Sequence, residues 1–323
     1  MKKQVWLLGM AAVMSLGLAA CNSSEESSAQ KETQTEQKDT SAEKETQTIT
    51  YLNQEYKIPK QVDTLAAASL ESMEDAALLG VKPEGAITIA GKLPEYLAKD
   101  LEGAQSIGEK TQPNYETLLS MKPDVILGSS KFQPEVAEKL NKVATMIPVS
   151  HIATNWEDNL LLMGEITGTK EKAESILTQY KEDTEKAKEA IGDSVKDKKA
   201  VVVRVRAGNL FIYPVDVYFN PVLYQDLGMA VPEEIKAAKA QETISLEKFA
   251  AMNPDYVFLQ FDKSENSQQP KALEELEGNA IWKSTQAVKD GHVFVNSVDP
   301  LAQGGTAWSK QAFLKAVQEN LAK

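Results

Sequence analysis

The sequence has few of the residues from which catalytic and metal sites are usually built. Its 323 residues include one cysteine and two histidines, too few for an internal disulfide or for a zinc or manganese site made of several histidines. It also has no Gly-x-Ser-x-Gly nucleophile motif and no phosphate-binding glycine-rich loop. We therefore expect a protein that is not an enzyme and that has no metal site of its own.

The charge of the chain is predominantly negative. The formal net charge is -12 at pH 7, which argues against nucleic acid or an anionic membrane surface as the partner. An anionic ligand would need a local basic pocket rather than a field set by the whole protein. His151 and His292 are expected to be structural, although His151 leaves axial ligation of a haem open.

The first residues are predicted to form a signal peptide, over residues 1–20, rather than part of a fold. Lys2 and Lys3 precede a short apolar stretch, Trp6 to Leu18, which is shorter than the roughly 20 residues that span a membrane. The stretch ends in Leu18-Ala19-Ala20-Cys21, which resembles the lipobox of bacterial lipoproteins. The resemblance implies that Cys21 is lipidated; an ordinary signal peptide that contains a cysteine is the alternative.

A polar segment follows the cysteine. Residues 21–50 consist largely of Ser, Glu, Gln, Lys and Thr, and such a composition buries too little apolar surface to offset the loss of chain entropy on folding. We expect a disordered tether that holds the folded part on the extracellular face of the cell membrane. The protein would contact the membrane through this lipid anchor only.

An internal repeat is the most informative feature of the remaining chain. Residues 114–124 end in Met-Lys-Pro-Asp and residues 245–255 end in Met-Asn-Pro-Asp, and Glu116 and Glu247 occupy the same place in the two copies. Each copy begins with an N-cap residue, asparagine or serine, and fits a short helix that ends before proline. An apolar strand follows in both copies. Two copies of one α/β unit predict two similar lobes.

A long helix is predicted between the copies. Apolar residues recur at helical spacing from Lys170 to Ile191, so one amphipathic helix of about 22 residues, roughly 33 Å long, would bridge the lobes. A surface helix of a single domain is the alternative. Short apolar strands alternate with helical stretches on both sides of it: Ile87–Ala90, Met146–Val149, Val201–Val205 and Val293–Val295.

The predicted fold class is therefore α/β, with two similar lobes and mainly parallel sheets. The N-terminal lobe is expected over residues 51–167 and the C-terminal lobe over residues 196–323. A single long helix, within residues 168–195, joins them, and the ligand cleft lies between the lobes.

Taken together, these features resemble the class III bacterial substrate-binding proteins, which serve importers of iron siderophores, haem, cobalamin and some metals. The resemblance rests on the lipobox, the motif at residues 114–124, the long helix and Gly304-Gly305. It points to the iron(III)-siderophore-binding lipoproteins of Gram-positive bacteria, and residues 204–221 suggest a hydroxamate or citrate-hydroxamate siderophore such as schizokinen. It implies a monomer that delivers a ferric siderophore to the membrane subunits of an ABC importer.

The resemblance also assigns a role to the repeated glutamates. In this family a glutamate on the outer face of each lobe docks onto the membrane subunits of the importer, and Glu116 and Glu247 match those positions. Two like-charged groups related by pseudo-symmetry suit a partner with two equivalent subunits. A favourable interaction with the helix dipole is the alternative, since both glutamates fall in a first helical turn.

The ligand site is predicted at the carboxyl ends of the strands, where open α/β lobes bind their ligands. Arg204 and Arg206 end an apolar strand and fall on one face of it, so their guanidinium groups suit an anionic ferric complex with outward oxygen atoms. Two surface arginines that end a strand and pair with local carboxylates are the alternative. Lys131 follows another strand and is carried over from related proteins. Lys92 is a second lysine at a strand end and a further candidate. Tyr213, Tyr218 and Trp156 could supply aromatic contacts, although each could equally belong to the core. Gln260 is a candidate polar contact.

Binding of this kind involves no covalent chemistry. The siderophore is expected to hold the iron, so that no protein residue is a metal ligand and no cofactor is needed. Two alternatives stay open: a haem or cobalamin carrier of the same class, and a surface lipoprotein that binds a macromolecule. Arg204 and Arg206 favour the siderophore, because a flat macrocycle would not need both of them.

Overall fold

The structure of the protein is a computed structural model that describes residues 44–322. The predicted signal peptide of residues 1–20, the lipidation site at Cys21 and most of the predicted tether lie outside the described residues. No helix in the described part of the chain is long and apolar enough to cross a membrane.

The described chain begins with an antiparallel hairpin where the end of the tether was predicted. Strand β1 (Thr46–Tyr51) pairs with strand β2 (Gln54–Pro59), so residues 46–50 are ordered. Ile49 and Tyr51 are buried and alternate with more exposed residues, which is the periodicity of a half-buried strand. The amide of Ser150 donates a hydrogen bond of 2.8 Å to the Tyr51 hydroxyl, and this bond fixes the hairpin on the lobe.

The N-terminal lobe is a six-stranded sheet packed against helices. Its strands are β3 (Leu65–Ala68), β4 (Gly85–Thr88), β5 (Gln105–Glu109), β6 (Gln112–Pro113), β7 (Val125–Ser129) and β8 (Met146–Val149), and its helices are α1 (Leu70–Leu79), α2 (Glu95–Ala98), α3 (Tyr115–Met121), α4 (Pro134–Asn141) and α5 (Trp156–Thr167). The strand order is β6-β5-β4-β3-β7-β8, and all neighbours are parallel except β5 and β6. Strands β3, β4 and β7 are short runs buried at every residue, as is typical of parallel sheets covered on both faces.

The predicted long helix is confirmed as α6 (Lys170–Ile191), which has 22 residues. Its buried residues, among them Ala173, Leu177 and Tyr180, recur every three or four positions and form one apolar stripe. Helix α6 packs against α5 and ends at Gly192. The helix thus leads the chain from the first lobe to the second.

The C-terminal lobe is a five-stranded sheet with helices of four to fifteen residues. Its strands are β9 (Ala200–Arg206), β10 (Asn209–Ile212), β11 (Glu242–Thr243), β12 (Tyr256–Phe261) and β13 (Val293–Val295), and its helices are α7 (Glu233–Ala237), α8 (Leu246–Met252), α9 (Ala272–Gly278), α10 (Ala280–Lys283), α11 (Gln286–Lys289) and α12 (Ala307–Leu321). The strand order is β11-β10-β9-β12-β13. Strands β9, β12 and β13 are parallel, whereas β10 and β11 are antiparallel to their neighbours. The two-lobed α/β fold predicted from the sequence is confirmed.

The final aspartate of each copy of the sequence repeat has the same structural role in its lobe. Helices α3 and α8 both have seven residues and both end in a residue of left-handed conformation. The Asp124 carboxylate accepts hydrogen bonds from the amides of Asp63 and Thr64, just before β3. The Asp255 carboxylate accepts one from the amide of Lys199, just before β9. In each lobe the aspartate therefore fixes the start of the neighbouring central strand.

The last helix connects the two halves of the molecule. Helix α12 packs against α1, α5 and α6, although it follows the strands of the C-terminal lobe. The buried carboxylate of Glu74 on α1 accepts hydrogen bonds from the hydroxyls of Thr306 and Ser309 and from the amide of Gln303. The start of α12 is therefore hydrogen-bonded to the N-terminal lobe. The lobe boundaries predicted from the sequence stay a prediction.

Candidate ligand-binding cleft

A cleft of about 480 Å³ lies at the carboxyl ends of the strands and takes residues from both lobes. The N-terminal lobe contributes Lys110 and Lys131, which follow β5 and β7, and the C-terminal lobe contributes Arg204, Arg206 and Lys239. No carboxylate occurs among the described residues that line the cleft. The cleft is thus a concentrated positive site on a protein of negative net charge, as an anionic ligand would require.

The two arginines of the cleft share one carboxylate behind it. Glu265 accepts a bond of 2.8 Å from Arg204 Nε and one of 2.9 Å from Arg206 Nη2. The Arg204 side chain is only 6% exposed and that of Arg206 is 35% exposed. A buried guanidinium needs such a partner, because an unpaired charge is costly away from water. Arg204 is therefore held in place, and Arg206 reaches further into solvent.

Lysines face them from the N-terminal lobe. Lys131 Nζ lies 3.0 Å from the carboxylate of Glu71 on α1. Lys110 forms no ion pair with any described residue. Burial, together with the positive charge of Lys131, lowers the pKa of Lys110 to about 8. A lysine with a depressed pKa gains from an anion brought close to it, since the anion restores the preference for the charged form.

A neutral side chain, His151, also lines the cleft. His151 Nδ1 lies 2.8 Å from the Ser130 hydroxyl, which also accepts a hydrogen bond from the His151 amide. Burial and the charge of Lys131 lower the pKa of His151. The imidazole is therefore neutral near pH 7 and offers hydrogen bonding without adding charge.

Two tyrosines form the aromatic part of the cleft. The rings of Tyr213 and Tyr218 lie 4.6 Å apart between centroids, and the guanidinium carbon of Arg204 lies 5.5 Å from the Tyr218 ring. Tyr218 has a φ of 61°, a strained conformation for a residue other than glycine. Gly304 lies against it so closely that a Cβ at this position would come within 2.5 Å of the Tyr218 carbonyl carbon. A glycine is therefore required at residue 304.

Five of the eight predicted ligand contacts lie in the lining of this cleft, and three do not. Those brought together are Lys131, Arg204, Arg206, Tyr213 and Tyr218. Lys92 lies outside because β4 ends at Thr88, two residues earlier than predicted, and the chain turns there. The exposed Lys92 is part of this turn.

The other two exceptions are buried side chains. The Trp156 ring packs against Tyr180 at 4.9 Å between centroids and lies 5.2 Å from the Lys310 ammonium, so its apolar surface is used in the core. Gln260 is fully buried on β12 beside Arg204. Its side-chain oxygen and nitrogen have no hydrogen-bond partner among the described residues. The predicted roles of Trp156 as a cleft wall and of Gln260 as a direct contact do not match these positions.

The predicted docking residues occupy equivalent surface positions. Glu116 and Glu247 are both exposed, and each is the second residue of its helix, α3 or α8. The large apolar side chain of Leu119, also on α3, is 56% exposed. The geometry suits a partner that contacts both lobes in the same way, and the docking role itself stays a prediction.

Several residues of the site were not predicted from the sequence. Lys110 follows β5, in which only Ile107 is buried, so no apolar run marks this strand. Lys239 and Gln241 lie in a loop before the short edge strand β11. Glu265 follows β12, but the arginine pair to which it binds is about sixty residues away in sequence. The two arginines at the end of an apolar strand indicate that a carboxylate pairs with them, but nothing in the sequence says which carboxylate it is.

Comparison with known proteins identifies the family. The model of the family described as "Periplasmic binding protein" matches residues 65–297. The iron-uptake system-binding protein of Bacillus subtilis (strain 168) is 48% identical over 320 residues, which cover 99% of each chain. The probable siderophore-binding lipoprotein YfiY of the same organism is 29% identical over 303 residues, which cover 90% of each chain.

The similarity extends to solved structures. The crystal structure of the triscatecholate siderophore binding protein FeuA from Bacillus subtilis, complexed with ferri-bacillibactin, has 52% sequence identity and a TM-score of 0.83. The match covers 85% of this chain and 98% of that chain. These findings confirm the resemblance to class III substrate-binding proteins of iron–siderophore uptake systems, a family of binding proteins rather than enzymes. The chain belongs to the periplasmic binding protein family.

Proposed function

We propose that this protein binds a ferric siderophore of the tris-catecholate type and delivers it to an ABC importer. The observation that carries the proposal is the charge of the cleft, where five cationic side chains converge and none of the described lining residues is a carboxylate. Charge-assisted hydrogen bonds from lysine and arginine are the strongest contacts available to an oxygen-rich anion.

The number of charges favours a catecholate over the hydroxamate or citrate-hydroxamate type that the sequence suggested. Each catecholate carries two negative charges, so a ferric complex of three catecholates keeps three negative charges. Three hydroxamates only balance the charge of the iron, and two hydroxamates with the hydroxycarboxylate of citrate keep one negative charge. A neutral or singly charged complex would leave cations of the cleft without enough counter-charge, because Lys110 has no ion-pair partner among the described residues and Arg204 and Arg206 share the single carboxylate of Glu265. Burying uncompensated charge is unfavourable. The relative whose structure contains ferri-bacillibactin is named as a triscatecholate siderophore binding protein, which supports the same choice.

The iron is expected to be held by the siderophore. Lysine and arginine side chains are donors without a lone pair to offer a metal when charged, so the cations of the cleft would contact the outer oxygen atoms of the complex. Tyr213 and Tyr218 would pack against its aromatic rings. The pocket would thus recognise the charge and shape of the complex without changing its bonds.

The cellular arrangement follows the expectation from the sequence. Lipidation at Cys21 would hold the protein at the extracellular face of the membrane, and Glu116 and Glu247 would contact the two membrane subunits of the importer. We propose that a monomer is sufficient, because residues 44–322 already supply both walls of the cleft.

The proposal can be tested by ligand titration. The intrinsic tryptophan fluorescence of the protein would be followed with ferric bacillibactin, ferrioxamine, ferric schizokinen, ferric citrate, haem and cobalamin. Saturable quenching by the tris-catecholate at the lowest concentrations is expected. Arg206→Met should weaken this binding by about 1.5–3 kcal/mol, the usual contribution of a charged hydrogen bond. Lys315→Met, which removes a charge from a side chain 75% exposed on α12, is the matched control and should bind normally.

The alternatives give distinct results in the same titration. Preference for a hydroxamate would keep the siderophore function and overturn the catecholate assignment. Binding of haem or cobalamin alone would place the protein with the macrocycle carriers of its class. No response to any of the six compounds would favour a lipoprotein that binds a macromolecule.

A further inference from the structure

The segment after β12 is hydrogen-bonded to the end of β9, where the two arginines of the cleft lie. Asn266 is fully buried, and its side-chain amide donates hydrogen bonds of 2.8 Å to the carbonyls of Val205 and Asp262. Its side-chain oxygen accepts one from the Gly208 amide at 3.1 Å. The Glu265 carbonyl accepts a further bond from the Ala207 amide. The backbone around Glu265 is therefore fixed to the turn that follows Arg206.

This anchoring presents one carboxylate to two arginines. Each oxygen of Glu265 accepts from a different guanidinium, at 2.8 Å from Arg204 and 2.9 Å from Arg206. The Glu265 side chain is 14% exposed and is not among the lining residues of the cleft. Glu265 thus contacts the arginines from outside the lining of the cleft.

The arrangement leaves particular donors available. Arg204 Nη1 lies 3.4 Å from the Tyr218 hydroxyl, whereas Arg204 Nη2 is buried and has no partner among the described residues. Arg206 Nη1 donates to Gln241 at 3.1 Å. Because a guanidinium is planar and rigid, fixing the edge that faces Glu265 also fixes the direction of the remaining N–H groups. An unpaired buried donor is unfavourable unless something binds to it.

From these contacts we infer that Glu265 is a positioning residue for the ligand site: it orients Arg204 and Arg206 so that their remaining donors meet the anionic ferric complex. The inference rests on the proposed function, since it assumes an anionic siderophore in the cleft. Glu265 itself repels such a ligand, because its charge has the same sign. Any benefit of Glu265 to binding must therefore come from orienting the arginines. The charge of Glu265 weakens binding and the orientation strengthens it, so the sign of the change in affinity tells the two effects apart.

Glu265→Gln separates the two effects, because glutamine has the same shape and lacks the charge. If the charge alone mattered, the cleft would become more positive and ferric bacillibactin would bind more tightly. If Glu265 positions the arginines, binding weakens about tenfold or more, the equivalent of one charged hydrogen bond. The glutamine amide group also cannot accept from the second arginine. Glu274→Gln, at an exposed position on α9, removes the same charge without contacting the arginines and is the control.

The salt dependence of binding gives a readout that simple loss of structure would not change. The Glu265→Gln cleft carries more net positive charge, so affinity should fall more steeply with ionic strength than in the wild type, even though it is lower at every salt concentration. If Glu265→Gln fails to fold, Glu265→Asp replaces it. Aspartate keeps the charge but is one methylene shorter and cannot reach both arginines, so weaker binding is again expected.

The outcomes distinguish this inference from the proposed function. A wild-type protein that does not bind ferric bacillibactin overturns the proposed function, and with it the ligand on which the inference rests. Wild-type binding combined with equal or tighter binding by Glu265→Gln overturns the positioning role alone. Should only Glu265→Asp fold, its binding as tightly as the wild type would overturn the positioning role in the same way.

Discussion

The ammonium nitrogen of Lys131 lies 3.0 Å from the carboxylate of Glu71, whose side chain is only 3% exposed on helix α1. Burial acts to raise the pKa of the Glu71 carboxyl, but the charge and hydrogen bond of Lys131, a backbone hydrogen bond and the charge of Lys110 together outweigh it and hold the pKa below its usual value. A carboxylate with a depressed native pKa adds stability above its unfolded pKa and loses it as the pH falls through the native one. Near pH 7 both groups are therefore charged. Glu71 holds Lys131 by this ion pair, as we infer that Glu265 orients the two arginines.

The first prediction concerns what happens when this pair is broken. Lys131→Met leaves the buried charge of Glu71 without its partner, so we expect a loss of about 1–3 kcal/mol in the free energy of unfolding at pH 7. Adding Glu71→Gln should recover most of that loss without restoring siderophore affinity. Urea denaturation and ligand titration of the single and double variants provide the measurement. Equal stability of the two variants would show that Glu71 finds another counter-charge.

The second prediction concerns the pH dependence of binding through Lys110. Its pKa of about 8 reflects burial and the nearby charge of Lys131. An anionic ligand favours the charged ammonium and raises this pKa, so above about pH 8 binding must take up a proton. Affinity for ferric bacillibactin should therefore fall above that pH, by at most about tenfold per pH unit. Calorimetric titrations between about pH 7 and pH 9.5 would measure the slope.

Lys110→Arg is the control for this effect, because arginine stays charged throughout the range. Its affinity should be nearly independent of pH over the same interval, whatever its absolute value. Parallel pH profiles for the wild type and Lys110→Arg would assign the titration to the ligand or to another group and contradict the prediction.

The fold was predictable where local periodicity and burial agree. Strands β7, β8 and β9 are short apolar runs, and the stripe of α6 recurs every three or four residues, so both can be recognised without knowledge of their neighbours. The hairpin of β1 and β2 could not be, because only Ile49 and Tyr51 distinguish β1 from the polar segment before it. Its order depends on contacts with the lobe, such as the bond between Tyr51 and Ser150.

The site was predictable to the extent that its residues end recognisable strands. Arg204 and Arg206 end β9 and Lys131 follows β7, whereas Lys110 follows a strand with a single buried residue. Trp156 was predicted to line the cleft but packs in the core, because the sequence does not show on which face an aromatic residue at the start of a helix packs. The choice between a hydroxamate and a catecholate ligand rests on the number of cations in the cleft. The sequence could not give this number, because only the fold brings Lys110 and Lys239 beside the arginines.

The third prediction concerns the stability of the contact between α1 and α12. Burial raises the pKa of Glu74 to about 7, although hydrogen bonds from Ser309, Thr306 and Tyr96 partly oppose this. A carboxyl with a raised native pKa stabilises the fold fully below its unfolded pKa, and the stabilisation is lost as the pH rises through about 7. A shift from 4.5 to about 7 corresponds to at most about 3 kcal/mol.

The measurement compares the wild type with Glu74→Gln in urea denaturation at about pH 5 and about pH 8. Between these values the wild type should lose up to about 3 kcal/mol more of its free energy of unfolding than the variant, which cannot titrate. Glu135→Gln, on the exposed face of α4, should behave like the wild type. Identical pH profiles for Glu74→Gln and the wild type would mean that Glu74 does not titrate in this range.

The fourth prediction separates ligand binding from delivery. Glu116 and Glu247 are exposed at equivalent positions of α3 and α8, away from the cleft, so replacing both by alanine should leave siderophore affinity unchanged. If they contact the importer, uptake of siderophore-bound iron by cells that rely on this protein should fall strongly in the double variant and partly in each single variant.

The alternative explanation of these glutamates, a favourable interaction with the helix dipole, is tested by a matched residue. Glu135 is also exposed in the first turn of a helix, α4, and Glu135→Ala removes the same interaction, worth about 0.3–1 kcal/mol. If all three positions lower stability alike and none alters uptake, the dipole is sufficient to explain them. Loss of uptake confined to the Glu116 and Glu247 variants, with normal affinity and similar stability, would assign the pair to the docking surface, because a defect in folding or ligand capture could not produce that pattern.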